Sequence, residues 1–438
     1  MLTENPILGA TYAEDLVEAT YKRVAWRILP LLFISYIVAY MDRVNVGFAK
    51  LQMLGDLGFS DAVYGLGAGL FFIGYFMFEV PSNLLLHRFG ARRWIARIMI
   101  TWALLSMATA WVSTPMTFYV LRFFLGVAEA GFFPGVILYL TYWFPAHRRG
   151  RMTAWFIAGN PISGIIGGPL SGLAMKGLAG SFGLAGWQWL FIIEAVPAIV
   201  MGVLIFIYLD DKVADARWLR ADQRTLIAAD IERDSKLHTH ASLSSVFLSP
   251  RVWLLCFILF CIVMGSYAIG FWQPTLIRLA GVQDPMTIGM LSTIPYIAAL
   301  IAMLLTARHA DRSDERRWHV ATPALVAATG FCICALSGTH FYPAMLGLTL
   351  SAIGVITALP MFWALPTEFL GGAGAAAGIA LINCTGNLAG FVSPSVIGWL
   401  KNQTHTFTSG LLFVAATIAV AALAVIFLIP VNARAPSR

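Results

Sequence analysis

The chain has 438 residues, of which 59% are hydrophobic and only 12% are charged, and its mean hydropathy is +0.77. Ordinary soluble domains carry about 25% charged residues, so this composition excludes a soluble globular protein and indicates a polytopic membrane protein. The net charge of +7 reflects which side of the membrane each loop occupies, and no nucleic-acid partner is expected.

Twelve windows of about 20 apolar residues, the length of a helix that crosses the hydrocarbon core, can be placed along the chain. Strands of a membrane barrel need only about 9–11 residues, so the windows predict an all-α membrane protein. They cover residues 24–49, 62–84, 94–112, 116–143, 150–176, 187–209, 252–279, 286–307, 319–337, 341–366, 374–400 and 408–430.

The basic residues assign the two sides of the membrane. With the N-terminus inside, 23 of the 29 Lys and Arg residues fall in tails or loops on that same side. Positively charged loops stay in the cytoplasm, so both termini are expected to be cytoplasmic. The basic residues predicted outside are Lys50, Lys176, Arg278 and Lys401.

The first span contains charges near its predicted outer end, where Asp42 and Arg43 follow Tyr40. A charge at membrane depth costs roughly 2.5–3.5 kcal/mol on insertion scales and usually faces a protein-lined cavity. Arg43 lies about six residues from the outer end of the span. These residues are therefore candidates for a functional site.

The second span is followed by a basic loop, His87-Arg-Phe-Gly-Ala-Arg-Arg93, which recurs after the eighth span as Asp311-Arg-Ser-Asp-Glu-Arg-Arg317. The two copies are offset by 224 residues, about half the chain. This repeat predicts two halves, residues 1–209 and 251–438, joined by a cytoplasmic linker over 210–250 with a surface helix at Ala221–Lys236. Repeated six-span halves around a midplane cavity are typical of secondary transporters.

The fourth span carries Arg122 about seven residues from its outer end and Glu129 seven residues further on. At 1.5 Å per residue, Glu129 is predicted to lie about 10 Å deeper than the two arginines, on the same helix face as Arg122.

The fifth span is rich in glycine between Gly164 and Gly172, which favours close helix packing.

These features resemble the major facilitator superfamily, whose usual loop motif is G-x-L-x-D-R-x-G-x-[RK]-[RK]. In the first copy, Asn83 and His87 replace the leading Gly and the Asp, while Arg88, Gly90, Arg92 and Arg93 match. The second copy keeps Asp311 and Arg312. The resemblance implies twelve transmembrane helices in two pseudo-symmetric six-helix bundles around a central cavity, with Arg88, Arg92, Asp311 and Arg312 in gating.

Within the superfamily, the chain resembles the anion:cation symporters, in particular bacterial tartrate, phthalate and hydroxyphenylacetate permeases and the related sugar-acid permeases. The motifs that carry this resemblance cover nearly the whole chain. They are Asp42-Arg43-x-Asn45, Phe71-x-x-Gly74-Tyr75, Pro81-Ser82-Asn83, Arg122-Phe-x-Leu-Gly126-x-x-Glu129, Trp187-Gln-Trp189, Phe271-Trp272-x-Pro274, Trp363-x-x-Pro366 and Gly386-Asn-Leu-Ala-Gly390.

The two arginines are the candidate ligands of an anion. The guanidinium fork can donate two parallel hydrogen bonds to a carboxylate, and the resemblance implies this role for Arg43 and Arg122. The alternative is that each arginine neutralises a nearby carboxylate, Arg43 with Asp42 and Arg122 with Glu129. For Arg122 a coupling role is equally open.

Asp42 and Glu129 are the candidate proton carriers. A carboxyl group in a low-dielectric cavity loses the hydration that stabilises its charged form, so it can bind a proton near neutral pH. Protonation would remove the partner of an arginine and free that arginine for an anion. The alternative is a permanently ionised structural pair.

Uncharged side chains are expected to set specificity. By match to family positions, Tyr40 and Tyr75 are candidates for hydrogen bonds to substrate. Asn160 and Asn383 are polar groups in otherwise apolar, glycine-rich spans, and Trp363 has a ring on which a substrate can stack. For these residues, helix bridging and core filling are the structural alternatives.

The sequence thus predicts proton-coupled uptake of a small organic carboxylate across the inner membrane of a bacterium, by a monomer with no cofactor or metal. The rival is a proton-coupled exporter of drugs or metabolites, favoured by the glycines of the fifth span. The sequence carries no P-loop, catalytic cluster or metal-type cysteine spacing, so an enzyme is not expected.

Overall fold

A computed structural model describes residues 6–236, 248–313, 315–369 and 374–429. Side chains are described from residue 15 onward, except those at 235–236, 311, 367–369 and 374–377. These residues form α-helices joined by short turns and 3₁₀ segments, and the described part contains no β-strand. The helices are α1 (Pro6–Val44), α2 (Val46–Leu57), α3 (Asp61–Phe89), α4 (Ala91–Ala108), α5 (Pro115–Glu129), α6 (Phe132–Thr141), α7 (Ala146–Ile157), α8 (Gly159–Gly177), α9 (Gly186–Tyr208), α10 (Ala221–Lys236), α11 (Pro250–Leu279), α12 (Pro285–Ser313), α13 (Arg317–Leu336), α14 (Phe341–Phe362), α15 (Ala364–Phe369), α16 (Gly374–Thr404) and α17 (Thr408–Leu428).

Eleven stretches of the described chain are long and apolar enough to cross a membrane. The predicted span over 150–176 is the one that does not reach this measure. It is divided between α7 and α8, and glycine, proline, serine and asparagine replace many of its apolar side chains. The eleven stretches and the α7–α8 segment together are consistent with the twelve predicted crossings.

Large apolar side chains cover the outside of the bundle. Leu84, Leu336 and Phe427 expose 69%, 75% and 77% of their surface, respectively. Such exposure suits contact with lipid, because hydrocarbon chains solvate these side chains as well as a protein core does. The helices satisfy their own backbone hydrogen bonds, as the bilayer interior requires.

Close contacts between the two predicted halves occur where α8 meets α12 and where α3 meets α16. A Cβ added at Gly168 would lie 2.5 Å from the carbonyl oxygen of Gly289, and one added at Gly289 would lie 2.3 Å from that of Gly168. These backbones can approach only because both residues lack a side chain. The prediction that glycines of the fifth span permit close packing is therefore confirmed.

Polar contacts also join the halves at the predicted outer end. The Lys176 ammonium lies 2.7 Å from the Asp284 carboxylate, and the Arg278 guanidinium donates to the Leu51 carbonyl. The Lys50 ammonium, paired with Asp61, lies 3.9 Å from the Trp272 ring centroid. Three of the four basic residues predicted outside therefore contact the opposite half in this conformation.

The predicted surface helix in the linker is confirmed as α10. It packs on the N-terminal half, where Tyr21 donates a 3.0 Å hydrogen bond to Asp230 and the backbone N–H of Ala146 donates a 3.1 Å bond to Asp234. The boundaries of the two halves stay a prediction.

Candidate functional site

Helix boundaries lie beside four predicted site residues, but only the boundary after Glu129 breaks the helical geometry, because Asn45, Ala158 and Trp363 at the other three keep helical backbone angles. α1 ends at Val44 after Arg43, α5 ends at Glu129, α8 begins just before Asn160, and α14 ends just before Trp363. The break after Glu129 depends on Gly131, whose φ of +85° is a conformation that glycine adopts without strain. Broken helices inside a membrane protein are typical of binding sites, since the break re-aims side chains and frees backbone groups.

Asp42 is held by neutral donors. Its carboxyl is 1% exposed and accepts hydrogen bonds from the Ser106 hydroxyl of α4 and from the Asn45 amide, the latter at 3.2 Å. Its second oxygen, Oδ2, has no hydrogen-bond partner among the described residues. The expected alternative of an Asp42–Arg43 pair is therefore wrong.

Arg43 is instead paired with Glu129. One guanidinium nitrogen donates to Glu129 Oε1, and another donates to the Tyr267 hydroxyl at 3.4 Å. The alternative of an Arg122–Glu129 pair is thus also wrong, and so is the prediction that Glu129 lies about 10 Å below the Arg43 guanidinium. Helical side chains tilt toward the N-terminus of their own helix, so Arg43 reaches inward from α1 while Glu129 reaches outward from α5, and they meet.

Arg122 has a different environment from Arg43. Its side chain is fully buried, its guanidinium lies 5.2 Å from the Phe71 ring centroid, and none of its three nitrogens has a hydrogen-bond partner among the described residues. The nearest negative charges are those of Asp42 and Glu129. Two cations and two carboxyls therefore share this buried group, but only the Arg43–Glu129 pair is in contact.

Aromatic side chains enclose the Arg43 guanidinium. It lies 5.3 Å from the Phe71 centroid, 5.9 Å from Phe72 and 5.2 Å from Tyr75, within the range of cation–π attraction. The predicted residue Tyr75 thus belongs to this group. Sequence reasoning did not single out Tyr267, which comes from the other half and whose position depends on how the halves pack.

Two predicted polar residues, Tyr40 and Asn160, lie outside the immediate contacts of the Arg43–Glu129 pair. The Tyr40 hydroxyl is 3.5 Å from Ser266 Oγ, and the Tyr40 ring lies 6.3 Å from that of Tyr36. Asn160 lies within hydrogen-bonding reach of the Tyr36 hydroxyl. Tyr36, which the sequence did not identify, therefore links Tyr40 to Asn160.

Asn383 and Trp363 contact other residues than Arg43 and Glu129. Asn383 donates to the Glu79 carboxylate at 3.4 Å, across the contact between α3 and α16. Trp363 packs edge to face on Phe362, with ring centroids 5.6 Å apart, at the end of α14. The sequence therefore identified Asn383 without its partner, because that partner belongs to the opposite half.

The loop-motif residues lie at the predicted cytoplasmic end. Arg88 is exposed over the Phe89 ring, and the backbone N–H of Arg92 donates a 2.8 Å hydrogen bond to Asp211. Asp211, in the linker, thus caps the N-terminus of α4, although His87 replaces the usual aspartate of the motif. Arg312 is exposed in the last turn of α12, and the side chain of Asp311 lies outside the described residues.

The family model described as Major Facilitator Superfamily matches residues 32–394 of this chain. The chain belongs to the major facilitator superfamily. Several relatives match this chain over almost the full length of both proteins. A putative tartrate transporter of Agrobacterium vitis is 46% identical over 94% of this chain and 95% of its own, and a putative metabolite transport protein, NicT, of Pseudomonas putida is 47% identical over 92% and 93%.

A quinolone resistance transporter of Acinetobacter baumannii is also similar, with 43% identity over 91% of this chain and 92% of its own. Among solved structures, the xylose transporter XylE of Escherichia coli in a partially occluded inward-open conformation aligns with a TM-score of 0.73 over 93% of this chain and 98% of its own, at 14% identity. That likeness supports the fold. The protein is a membrane transporter with the major facilitator fold.

Proposed function

We propose that this protein is a proton-coupled symporter that takes up a small organic carboxylate by alternating access. The observation that carries the proposal is the Arg43–Glu129 pair. The Arg43 side chain keeps 14% of its surface exposed, whereas Glu129 and Arg122 are fully buried. Arg43 is therefore the cation that a substrate can reach, and its present partner is a group that can bind a proton.

The coupling follows from competition for the Arg43 guanidinium. A proton on Glu129 weakens the ion pair and frees donors for a substrate carboxylate, and a bound carboxylate favours protonation of Glu129 in turn. Arg122 has no hydrogen bond to the residues that the structure describes, and it is proposed to act on the charge of the two carboxyls rather than on substrate. Asp42 is the second proton-binding group.

The substrate class follows from the arginine fork and from the relatives. Tyr75 lies beside the fork, and Tyr40 and Asn160 are proposed to extend this polar lining toward the fifth span. The relatives named as tartrate transporters make a hydroxy acid the first substrate to test. A direct contact of Trp363 or Asn383 with substrate requires a conformation in which these side chains turn toward Arg43.

The orientation in the membrane completes the proposal. The distribution of the basic loops favours cytoplasmic termini, and the bacterial relatives favour the inner membrane, with a monomer proposed as the working unit. The two halves rock about the Arg43 group. Arg88, Arg92, Asp311 and Arg312 lie at the cytoplasmic end, where their loops are expected to hold that end closed in the outward-facing state.

Proton-coupled export is the second candidate. The relative named as a quinolone resistance transporter favours it, as do the closely packed glycines of α8. Export predicts that an inward proton gradient drives substrate out of the cell, whereas symport predicts accumulation inside.

The test is uptake by purified protein in liposomes, with tartrate, a sugar acid, phthalate and hydroxyphenylacetate, with and without an inward proton gradient. Arg43→Ala is expected to abolish uptake, and Glu129→Gln to keep exchange but lose accumulation. Arg23→Ala, an exposed arginine on the same helix, is the matched control and is expected to behave as the parent protein. Absence of uptake of every acid, together with proton-driven extrusion of a cationic dye, would replace symport by export.

A further inference from the structure

A third buried carboxyl lies on the predicted outer side of Asp42. Glu194 of α9 is 3% exposed and accepts a 2.8 Å hydrogen bond from the Ser171 hydroxyl of α8. Its other oxygen, Oε2, has no hydrogen-bond partner among the described residues. A buried ionised carboxylate with one neutral partner is costly, so this side chain needs an explanation.

The charges around Glu194 do not neutralise it. Asp42 of α1 is close enough to interact electrostatically with Glu194, and the Asn45 amide lies close to both carboxyls. On α2, Lys50 is paired with Asp61, and on α8, Lys176 is paired with Asp284. The neighbouring part of α4 contributes Ser106, whereas its arginines lie at the opposite end of that helix, and α9 has no other Asp, Glu, Lys, Arg or His.

A small cavity lies next to the hydrogen-bond partners of the two carboxyls, although neither carboxyl lines it. Its volume is about 20 Å³, enough for one water, which needs about 10–15 Å³ by this measure. It is lined by Asn45 and Ser171, the two residues that contact Asp42 and Glu194, and by the polar side chains of Ser163, Gln273 and Ser292. The cavity lies between the halves, so their separation at the outer end connects it to the outside.

We propose that Glu194 is an outer proton-binding site that receives protons from the outside and passes them to Asp42. This inference rests on the proposed symport. In the first step a hydronium from the outside enters the cavity, the Ser171 hydroxyl gives its proton to the Glu194 carboxylate and takes one from the hydronium, and the products are neutral Glu194 and a neutral water. In the second step the proton passes from Glu194 to the Asp42 carboxylate, which becomes neutral while Glu194 returns to its ionised form.

Three unpartnered oxygens support a path between the two acids. Glu194 Oε2, Asp42 Oδ2 and Asn45 Oδ1 are all buried and lack hydrogen-bond partners among the described residues, and Asn45 lies near both carboxyls. These acceptors can hold a bridging water between the two acids. The carboxyls therefore form a sequence from the outer end to the Arg43 group: Glu194, then Asp42, then Glu129.

The test uses Glu194→Gln in the full-length protein in liposomes. Glutamine keeps the shape and accepts the Ser171 hydrogen bond, but it cannot carry a proton. Initial uptake is measured against external pH, and counterflow at equal pH, which needs no net proton movement, reports that folding and substrate binding persist. Glu194→Gln is expected to lose the dependence of uptake on external pH, and the exposed Glu18→Gln is expected to keep it.

Infrared difference spectra between acid and alkaline pH give a readout that is independent of transport. The protein is expected to show a protonated-carboxyl band that disappears in Glu194→Gln and shifts in Ser171→Ala, which keeps the carboxyl but removes its donor. An unchanged pH profile, or the absence of any titrating band that depends on these two residues, would overturn the proposal. If the parent protein shows no proton-driven uptake but the band is present, the proposed symport fails while the proton site stands.

Discussion

The Arg43 guanidinium is bound to the Glu129 carboxylate, whereas Arg122, on the same helix as Glu129, makes no hydrogen bond among the described residues. The two arginines therefore differ in environment. Arg43 is partly exposed and contacts a carboxylate, whereas Arg122 is fully buried. Under the proposed function, Arg43 binds the substrate and Arg122 acts on the charge of the carboxyls.

This difference predicts that Arg43→Lys impairs substrate binding more than Arg122→Lys. An ammonium cannot reproduce the two parallel hydrogen bonds of the guanidinium fork. A hydrogen bond to a charged group contributes about 1.5–3 kcal/mol, so the KM for the carboxylate is expected to rise about tenfold or more in Arg43→Lys. Arg122→Lys is expected to change proton-driven accumulation more than KM. An Arg43→Lys variant with an unchanged KM would remove Arg43 from the substrate site.

The sequence predicted which residues carry charge inside the membrane, because a carboxylate or guanidinium in an apolar helix is conspicuous. It did not predict their partners. The seven-residue spacing put Arg122 and Glu129 on one helix face, but side chains that tilt toward the N-termini of antiparallel helices bring Glu129 to Arg43. Tyr267 and the Glu79–Asn383 contact depend on packing between halves, which no local pattern specifies.

The Glu79–Asn383 contact predicts a stability difference between two variants. Glu79 is 4% exposed and accepts from Asn383 and, at 3.6 Å, from the Cys384 thiol. Glu79→Ala leaves the half-buried Asn383 amide without its acceptor, at an expected cost of about 1 kcal/mol or more in the free energy of unfolding. Glu79→Gln keeps an acceptor oxygen and is expected to lose less.

Denaturant unfolding in detergent measures both Glu79 variants. Glu18→Ala is the control, because Glu18 is 67% exposed and its 2.6 Å pair with Arg148 is expected to contribute at most about 1 kcal/mol. If Glu79→Ala and Glu18→Ala lowered the free energy of unfolding by the same amount, the contact between α3 and α16 would not depend on the Glu79 carboxyl.

The Gly168–Gly289 contact predicts a shift in conformation. In Gly168→Ala the new Cβ would lie 2.5 Å from a backbone carbonyl of the opposite half, which cannot turn aside as a side chain can. The outer end is therefore expected to open. Spin labels at Leu178 and Val282 should report a longer distance by double electron–electron resonance. In the control Gly177→Ala the Cβ would lie 3.8 Å from Leu173 of its own helix, and the distance should stay as in the parent protein.

The Lys176–Asp284 ion pair at the predicted outer end is expected to be independent of pH in the range where transport is measured. Hydrogen bonds from Lys176 and then Thr287 hold the pKa of Asp284 below its ordinary value, which is about 3.9. A carboxyl whose pKa is lowered in the folded protein contributes its stabilisation above the ordinary pKa, and that contribution is lost as the pH falls through the lowered pKa. The contact is therefore complete between about pH 5 and pH 8.

Asp284→Asn is accordingly expected to change the uptake rate by a similar factor at every pH in that range and to leave the midpoint of the pH profile in place. The measurement is initial uptake in liposomes against external pH, compared with Glu194→Gln, in which the profile is expected to flatten. Both residues lie toward the predicted outer end, but Asp284 is exposed and ionised throughout, whereas Glu194 is enclosed beside Asp42. A midpoint that moved in Asp284→Asn would mean that the outer ion pair, rather than the buried carboxyl, senses the external proton concentration.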